Sequence, residues 1–285
     1  MMTSTWIKGL FDTERYPVGD PDCTAYRDLV ARARKDLDAD NCARLPGFIR
    51  PDVLEAMQRE ARGLAPRATY TEAWLNPYFS DPPEDCPENH PLQRFALRCH
   101  GMVRGDLFDA SGAIWLAFQD ADLCRFVADC LGHEELFSYR DPFGCVNVNV
   151  QSQGREFSWH FDHNDFTVSI LLDAPDGGGV FEYVPDIRTG DDERYDAVER
   201  VLDGDRSAVR TLALRPGDLQ LFRGGNTLHR VTAPTGETQR LSLLLSYVTD
   251  PGHIASPAYA ERLWGEVHPR HLEADGAASG AHITG

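Results

Sequence analysis

The sequence lacks the long apolar stretches and cysteine pairs that mark membrane proteins and disulfide-bonded secreted proteins. No apolar run approaches the roughly 20 residues needed to cross a bilayer, and residues 1–8 lack the basic start and apolar stretch of a secretory signal. The seven cysteines are scattered without a CxxC pair, which is typical of reduced thiols in the cytosol. We therefore expect a cytoplasmic protein without a membrane partner.

Positive charge is also scarce. The chain has 28 Lys and Arg residues against 45 Asp and Glu residues, and its formal net charge is −17. Because an acidic surface repels phosphate backbones, nucleic acid is not an expected partner. The length of 285 residues and the hydrophobic fraction of 42% fit one large domain with a sizeable core.

The chain divides into a helical first part and a strand-rich second part. Short strands separated by turn residues begin at about residue 139, and such strands at close spacing are typical of a sandwich, jelly roll or barrel. The helical patterns lie at residues 25–37, 52–61 and 114–131. The strand patterns lie at residues 146–151, 166–172, 180–184, 219–222 and 241–248.

We predict one domain of the mainly-β class with α-helices. Residues 1–138 form a helical N-terminal or cap region, and residues 139–255 form the catalytic core. A helical insert interrupts that core at residues 189–205. Residues 256–285 form a C-terminal segment, and its small and polar tail after Leu272 is expected to be disordered.

The main functional signal is a His-x-Asp motif, His160 and Asp162, in a segment that has the character of a strand. Since residues i and i+2 of a strand point to the same face, both side chains would project together. A second histidine, His229, follows 69 residues after the first, which leaves room for intervening strands. Two histidines and one carboxylate can form a facial triad for iron(II), whose other face stays open for a keto acid and dioxygen.

A guanidinium follows the second histidine at a place suited to a dicarboxylate. Arg240 lies eleven residues after His229 and shares a strand face with Ser242 by the period-two rule. Because a guanidinium pairs with a carboxylate through two parallel hydrogen bonds, we expect these residues to hold the distal carboxylate of 2-oxoglutarate. An isolated His-x-Asp motif is often accidental, but its combination with a later histidine and Arg-x-Ser is far more specific.

In these features the chain resembles the iron(II)/2-oxoglutarate-dependent oxygenases, and more narrowly the branch of bacterial free-amino-acid hydroxylases and related radical halogenases. The resemblance covers about residues 139–252 and rests on Trp159–Asp162, Gly179–Pro185, Pro216–Asp218 leading to Leu221–Gly224, Leu228–Thr232 and Ser246–Tyr247. It implies a double-stranded β-helix core, which is jelly-roll-like or cupin-like, with the helical N-terminal region packed around it as a lid. It also implies iron(II), 2-oxoglutarate and dioxygen as the cofactor and co-substrates.

The resemblance further implies an oxidoreductase whose catalytic residues are His160, Asp162 and His229. Halogenases of this type carry Gly or Ala in place of the metal-binding carboxylate, which frees a site for chloride. Because this chain has Asp162, a hydroxylase acting on an unactivated C–H bond is favoured, and desaturation or cyclisation by the same enzyme class stays open. The expected substrate is small and polar, and a free amino acid is the best match.

Polar residues beside the motif are further candidates. Asn147, Asn149 and Gln151 alternate with valines, and this polar face either forms a solvent-facing edge or points into the barrel. We favour the second interpretation and assign co-substrate contact to Asn149 and, less directly, to Thr227, which lies two residues before His229.

Candidates for substrate binding surround the same segments. His163 is not expected to bind the metal, because a strand would turn it away from His160. The assigned residues are Arg223, His163, Asp165 and Glu156. Further residues in the N-terminal region that could contribute to substrate recognition are Arg98, His100 and Arg104.

One alternative from another class stays open. A cupin-like metal-binding or sensor protein would need no keto acid, but it would usually show two nearby histidines and a glutamate before the later histidine, and it would not need Arg240. The sequence leaves the oligomeric state open.

Overall fold

The computed structural model describes residues 9–281, so the first eight residues, for which no signal is expected, lie outside the described part. The helices are α1 Thr24–Asp40, α2 Pro51–Leu64, α3 Ala113–Phe118, α4 Ala121–Leu131, α5 Tyr195–Leu202, α6 Pro257–Trp264 and α7 Pro269–Ala281. The strands are β1 Cys42–Leu45, β2 Thr69–Leu75, β3 Ala96–Val103, β4 Phe137–Ser138, β5 Val146–Gln151, β6 Phe157–His160, β7 Thr167–Asp173, β8 Phe181–Val184, β9 Arg210–Leu212, β10 Leu219–Phe222, β11 Leu228–Val231, β12 Arg240–Leu245 and β13 Tyr247–Val248. Across residues 9–281, none of these helices has the length and apolar character required to span a membrane.

Two antiparallel sheets enclose an interior. The larger sheet has seven strands in the order β1-β10-β7-β12-β5-β3-β2, the smaller has four in the order β6-β11-β8-β9, and β13 pairs with β4. Side chains of both sheets meet between them, where Cys42 and Phe222 lie in one apolar cluster with Phe181 and Val231. This arrangement is a double-stranded β-helix, and the predicted fold class is confirmed.

The helices cover the outer face of the larger sheet. Val146, Val148 and Val150 of β5 are fully buried there, in one apolar core with Leu37 of α1 and Met57 of α2. Because burial of apolar area contributes about 25 cal/mol per Å², this outer layer supplies most of the hydrophobic stabilisation. The inner face of the sheet is therefore free to carry polar residues.

The polar residues of β5 point to the interior. Asn147 is 7% exposed and Gln151 is 2% exposed, so these residues do not form a solvent-facing edge. Arg240 and Ser242 of the neighbouring strand β12 are also buried. The space between the sheets is thus lined by polar groups on one side, as expected of a binding site rather than of an apolar sandwich core.

The N-terminal region is less helical than predicted. Strands β1, β2 and β3 lie within residues 1–138, and all three join the larger sheet. Their partners come from distant parts of the chain, since Cys42 pairs with Phe222 and Gly101 with Val150. Such short segments carry too few alternations for a pattern to identify them, and pairing decides their structure.

Two further predictions differ from the structure, and one agrees with it. The helix predicted over residues 114–131 is two helices, because the Asp120 side chain accepts a hydrogen bond from the Leu123 N–H and starts α4. The helical insert is present as α5 within the predicted residues 189–205. The tail predicted to be disordered is helical over α7, and residues 282–285 lie outside the described part.

A buried carboxylate anchors α7 to the core. Asp141 accepts hydrogen bonds from the backbone N–H groups of Phe143 (2.9 Å), Gly144 (2.7 Å) and Ala255 (3.2 Å). It also accepts one from Nε2–H of His271 at 2.9 Å, because Nδ1 of that ring accepts the backbone N–H of His268. The polar atoms of this pair are satisfied on all sides, which explains why the C-terminal helix docks here.

We expect His271→Ala to lower the free energy of unfolding by about 1–3 kcal/mol, because Asp141 loses a donor in a buried environment. Urea denaturation measures this change. His253→Ala is the matched control, since His253 is exposed and surface substitutions usually change stability by no more than about 0.5 kcal/mol. Equal effects of the two substitutions would contradict the anchoring role.

Candidate metal centre

Strand pairing brings the two histidines together. His229 of β11 lies directly opposite His160 of β6 in the antiparallel register. Their ring centroids are 4.0 Å apart, and both residues are buried. Residues 69 positions apart in sequence therefore present their imidazoles at one point.

Both imidazoles are oriented in the same way. Nδ1–H of His160 donates to the carbonyl oxygen of Ser158 at 2.8 Å, and Nδ1–H of His229 donates to that of Thr227 at 2.9 Å. Each partner lies two residues before its histidine. Such a bond to the backbone sets the tautomer and leaves Nε2 with its lone pair free for a metal.

Asp162 supplies the carboxylate, although it does not lie on a strand. β6 ends at His160, so the predicted period-two geometry is wrong for this residue. Its backbone N–H instead donates to the carbonyl oxygen of Gly224 at 3.2 Å, and its Oδ2 accepts a hydrogen bond from Thr167 Oγ1 at 3.0 Å. These two bonds turn the carboxylate toward the histidines.

The charges of the three groups suit metal binding. Burial, together with the neighbouring His229, lowers the pKa of His160 to about 4, so its imidazole is neutral at neutral pH. Burial by itself would raise the pKa of Asp162, but His229 and His160 hold it well below its usual range. The site therefore offers a neutral imidazole beside an ionised carboxylate.

The distances fit one ion. Oδ1 of Asp162 lies 3.6 Å from Nε2 of His160 and 3.4 Å from Nε2 of His229. One donor atom from each residue lies within 4.8 Å of the other two. Adjacent ligands of an octahedral ion at about 2.1 Å are about 3 Å apart, so a small adjustment suffices. Two imidazoles and one carboxylate are the donor set of a non-haem iron(II) site with open positions.

Arg240 and Ser242 form a second polar group in the interior, as predicted. The Arg240 guanidinium donates to Ser242 Oγ at 2.6 Å and to the carbonyl oxygen of Gly179 at 3.1 Å. Burial lowers the pKa of Arg240 to about 10, which still leaves it protonated at neutral pH, and no carboxylate among the described residues offsets its charge. Because a buried charge is costly without a counter-ion, an anionic ligand suits this place.

The predicted co-substrate contacts Asn149 and Thr227 both have unpartnered buried atoms. Oδ1 of Asn149 and Oγ1 of Thr227 lack hydrogen-bond partners. Asn149 lies opposite Ser242 in the register of β5 and β12. Since buried polar atoms in native proteins are nearly always bonded, these two atoms are consistent with ligand contact.

The structure separates the predicted substrate residues. Arg223 pairs with the exposed Asp38 of α1 at 3.0 Å, and the substrate role of Arg223 stays a prediction. His163 and Asp165 are exposed in the turn after Asp162, and His163 is absent from the metal cluster, as expected. Glu156 is half-buried just before β6, and its backbone carbonyl accepts a hydrogen bond from Cys99.

Arg98 is a basic group near the metal centre whose position the sequence did not show. Its guanidinium lies 4.3 Å from the ring centroid of Phe157 and 5.5 Å from that of Phe79. Burial lowers its pKa to about 10, and the Asp162 carboxylate is close enough to oppose that shift. Among the described residues, Arg98 has no ion-pair partner. The alternation of Arg98, His100 and Met102 along β3 was the signal that could have placed it.

Phe79 forms a wall of the site, and no sequence signal pointed to it. Its backbone is in the left-handed region, with φ of 52°, which is unusual for a large side chain. The side chain of Asn76 holds this turn by accepting backbone N–H groups on both sides of Phe79. The ring consequently stacks on His160 with centroids 5.5 Å apart and meets His163 at 5.6 Å.

Comparison with known proteins identifies one matching family. Residues 96–260 match the family described as Halogenase D. No curated protein sequence matches the chain significantly.

The fold is shared with several solved structures. It is similar to the non-heme alpha ketoglutarate dependent epimerase SnoN from nogalamycin biosynthesis, with a TM-score of 0.54, 14% identity, and coverage of 78% of this chain and 83% of that one. The fold is also similar to that of AviO1 from Streptomyces viridochromogenes Tue57, with a TM-score of 0.53, 18% identity, and coverage of 78% of this chain and 95% of that one. For the non-heme alpha ketoglutarate dependent carbocyclase SnoK, also from nogalamycin biosynthesis, the TM-score is 0.53 and the identity is 13%, with coverage of 78% of this chain and 85% of that one. At these identities the likeness shows a common fold.

We expect Gly224→Ala to weaken binding of iron(II) by about 10- to 100-fold, the usual effect of disturbing a residue that supports a metal ligand. A Cβ at this position would overlap the Asp162 carboxylate, with Cγ only 2.6 Å away. Anaerobic calorimetric titration with iron(II) measures the affinity. Gly225→Ala is the matched control, because its Cβ would meet only the carbonyl oxygen of Asn164 at 3.7 Å. Unchanged affinity in Gly224→Ala would show that Asp162 is not held as a ligand.

Proposed function

We propose that this chain, which belongs to the family described as Halogenase D, is a non-haem iron(II)- and 2-oxoglutarate-dependent dioxygenase. The proposed reaction is hydroxylation of a C–H bond of a free amino acid. The observation that carries the proposal is the buried cluster of His160, Asp162 and His229 in the same interior as the unpaired guanidinium of Arg240. The seven cysteines are free thiols, which suits a cytoplasmic enzyme.

His160, Asp162 and His229 would hold the iron(II). Bound there, the metal supplies the redox chemistry that activates dioxygen, with the keto acid as the source of electrons. The protein fixes the two histidines beforehand through the backbone carbonyls of Ser158 and Thr227, and it fixes Asp162 through Gly224 and Thr167. Positioning of this kind is what a protein contributes to cofactor chemistry.

Arg240 and Ser242 would bind the distal carboxylate of 2-oxoglutarate. A buried guanidinium with a hydroxyl beside it, 2.6 Å away, offers the donors that a carboxylate accepts. Asn149 and Thr227 would contact the same molecule through their unpartnered atoms. A cupin-like metal-binding or sensor protein has no use for a buried cation at this place, so Arg240 favours the keto-acid chemistry.

Asp162 favours hydroxylation over halogenation. The chain carries a carboxylate at the position where the halogenases that it resembles have Gly or Ala, so no ligand position is freed for chloride. The surrounding residues are built for that carboxylate, since Thr167 donates to it and Gly224 leaves space for it. Desaturation and cyclisation begin with the same hydrogen abstraction, and product analysis separates them from hydroxylation.

Arg98 supports an amino acid substrate. Its guanidinium makes cation–π contacts with the rings of Phe79 and Phe157. The group lies close to the metal centre, and no described residue forms a salt bridge with it. A guanidinium in that state binds a carboxylate well. An amino acid carboxylate placed here would bring the remaining side chain beside the metal.

We expect the iron-loaded protein to convert 2-oxoglutarate to succinate, and Arg240→Leu to weaken 2-oxoglutarate binding by at least about 30-fold, because a buried charge pair can no longer form. Anaerobic titration and a succinate assay measure the two effects. Arg230→Leu is the matched control, since Arg230 lies on β11 and pairs with Glu182. If wild-type protein binds iron but not 2-oxoglutarate, the sensor interpretation is favoured and the enzyme proposal is wrong.

We expect one member of an amino acid pool to gain a single oxygen atom, without the isotope pattern of chlorine, in step with succinate formation. Arg98→Leu should raise the KM for that amino acid by about 10- to 100-fold, since a hydrogen bond to a charged group is lost, and leave 2-oxoglutarate affinity unchanged. Arg155→Leu is the control, because Arg155 pairs with the exposed Glu72. Mass spectrometry and steady-state kinetics give the result, and a chlorinated, desaturated or cyclised product would overturn hydroxylation.

A further inference from the structure

Three neighbouring strands of the larger sheet carry a row of polar residues. β12, β5 and β3 are adjacent, and Arg240 of β12 lies opposite Gln151 of β5. The register of β5 and β3 pairs Val150 with Gly101, which places His100 beside Gln151. All three side chains of the row are buried. The row Arg240, Gln151, His100 therefore extends the Arg240 group by two strands.

The last two members of this row lack hydrogen-bond partners. Both ring nitrogens of His100 and Nε2 of Gln151 are buried and unpartnered, although the two residues are only 4% and 2% exposed. Leaving such groups unpaired opposes folding, and each instance in a native protein calls for an explanation. A ligand that accepts hydrogen bonds would provide the missing partners.

Unpartnered atoms are not a general property of this interior. Asn147, on the same face of β5, donates to the carbonyl oxygens of Val103 and Phe143. Gln220 on β10 accepts a hydrogen bond from Ser169 at 3.0 Å. The unsatisfied groups of β5 are confined to Asn149 and Gln151, the two residues opposite Ser242 and Arg240.

His100 is held by ring stacking and not by hydrogen bonds. Its imidazole stacks on Phe157, with centroids 4.6 Å apart, and Phe157 stacks on His160 at 3.9 Å. Stacking fixes the plane of the ring and leaves its edge, where both nitrogens lie, available. Burial, with Arg98 and His160 nearby, lowers the pKa of His100 well below its usual value, so the ring is neutral and offers one N–H donor.

We propose that His100 and Gln151 bind the same dicarboxylate co-substrate as Arg240, each donating a hydrogen bond to its carboxylate oxygens. This inference rests on the proposed function, and it adds a residue from outside the predicted core, since β3 belongs to the N-terminal region. Arg240 supplies the positive charge that a carboxylate needs. His100 and Gln151 are neutral donors, so they complete the hydrogen bonds of the co-substrate without adding a second buried charge.

The test compares His100→Phe and Gln151→Leu with Gln220→Leu in the full-length, iron-loaded protein. Gln220→Leu makes the same chemical change as Gln151→Leu at another buried position of the same sheet, three strands away. Anaerobic calorimetry measures the Kd of 2-oxoglutarate, and thermal unfolding without co-substrate measures stability. Titration with iron(II) confirms that the metal centre is intact in each variant.

The variants should separate co-substrate affinity from stability. His100→Phe and Gln151→Leu should each weaken 2-oxoglutarate binding by about tenfold, the effect of one lost hydrogen bond, and leave the unfolding midpoint unchanged or raised. Gln220→Leu should lower the midpoint, because it breaks a satisfied hydrogen bond, and leave the Kd unchanged.

The possible failures are distinguishable. If wild-type protein binds 2-oxoglutarate and the two variants bind it equally well, the inference is wrong and the proposed function stands. If His100→Phe and Gln151→Leu lower the midpoint as much as Gln220→Leu, their role is structural, and the inference is likewise overturned. If wild-type protein does not bind 2-oxoglutarate, the proposed function itself is wrong.

Discussion

The pairing of β6 with β11 is the constraint on which the metal centre depends. It sets His160 opposite His229, and the remaining features of the site adjust to that pair. Asp162 lies beyond the end of β6, so it reaches the histidines only because its backbone N–H is bound to the carbonyl oxygen of Gly224. The glycine leaves room for the carboxylate. If β6 slipped by one residue against β11, one histidine would turn to the opposite face of the sheet. The three ligand residues would then no longer lie together.

The larger sheet separates stability from function by its two faces. The valines of β5 pack into the helix-covered core, while Asn149 and Gln151 on the other face keep unpartnered atoms. Such atoms destabilise a protein, and the apolar outer layer offsets that cost. An interior that holds unsatisfied groups is the expected compromise where a site must be prepared for a ligand. The helices of the N-terminal region are therefore part of the reason why the site can exist.

The chain is acidic as a whole, but its interior contains positive charge. The chain has a net charge of −17, yet the interior contains the protonated guanidinium of Arg240, which has no carboxylate partner among the described residues, and Arg98 lies close to the metal centre. The net charge is the reason why nucleic acid is not an expected partner, but it carried no information about the charge of the ligand. The two cations lie in different places, one on β12 and the other on β3. This separation suits two distinct anionic groups, which is what a keto acid and an amino acid would present.

The sequence by itself determined which side chains of β5 and β12 share a face, and it singled out the three residues that come together as the candidate metal centre. Period two is a local property, so the inward direction of Gln151 and the shared face of Arg240 and Ser242 could be predicted, and both are confirmed. Tertiary structure decided what local periodicity cannot express. The N-terminal strands formed because distant partners were available, Arg223 was engaged by α1, and Phe79 reached His160 through a left-handed turn. These outcomes depend on which segments meet, and a pattern along one segment contains no record of its partners.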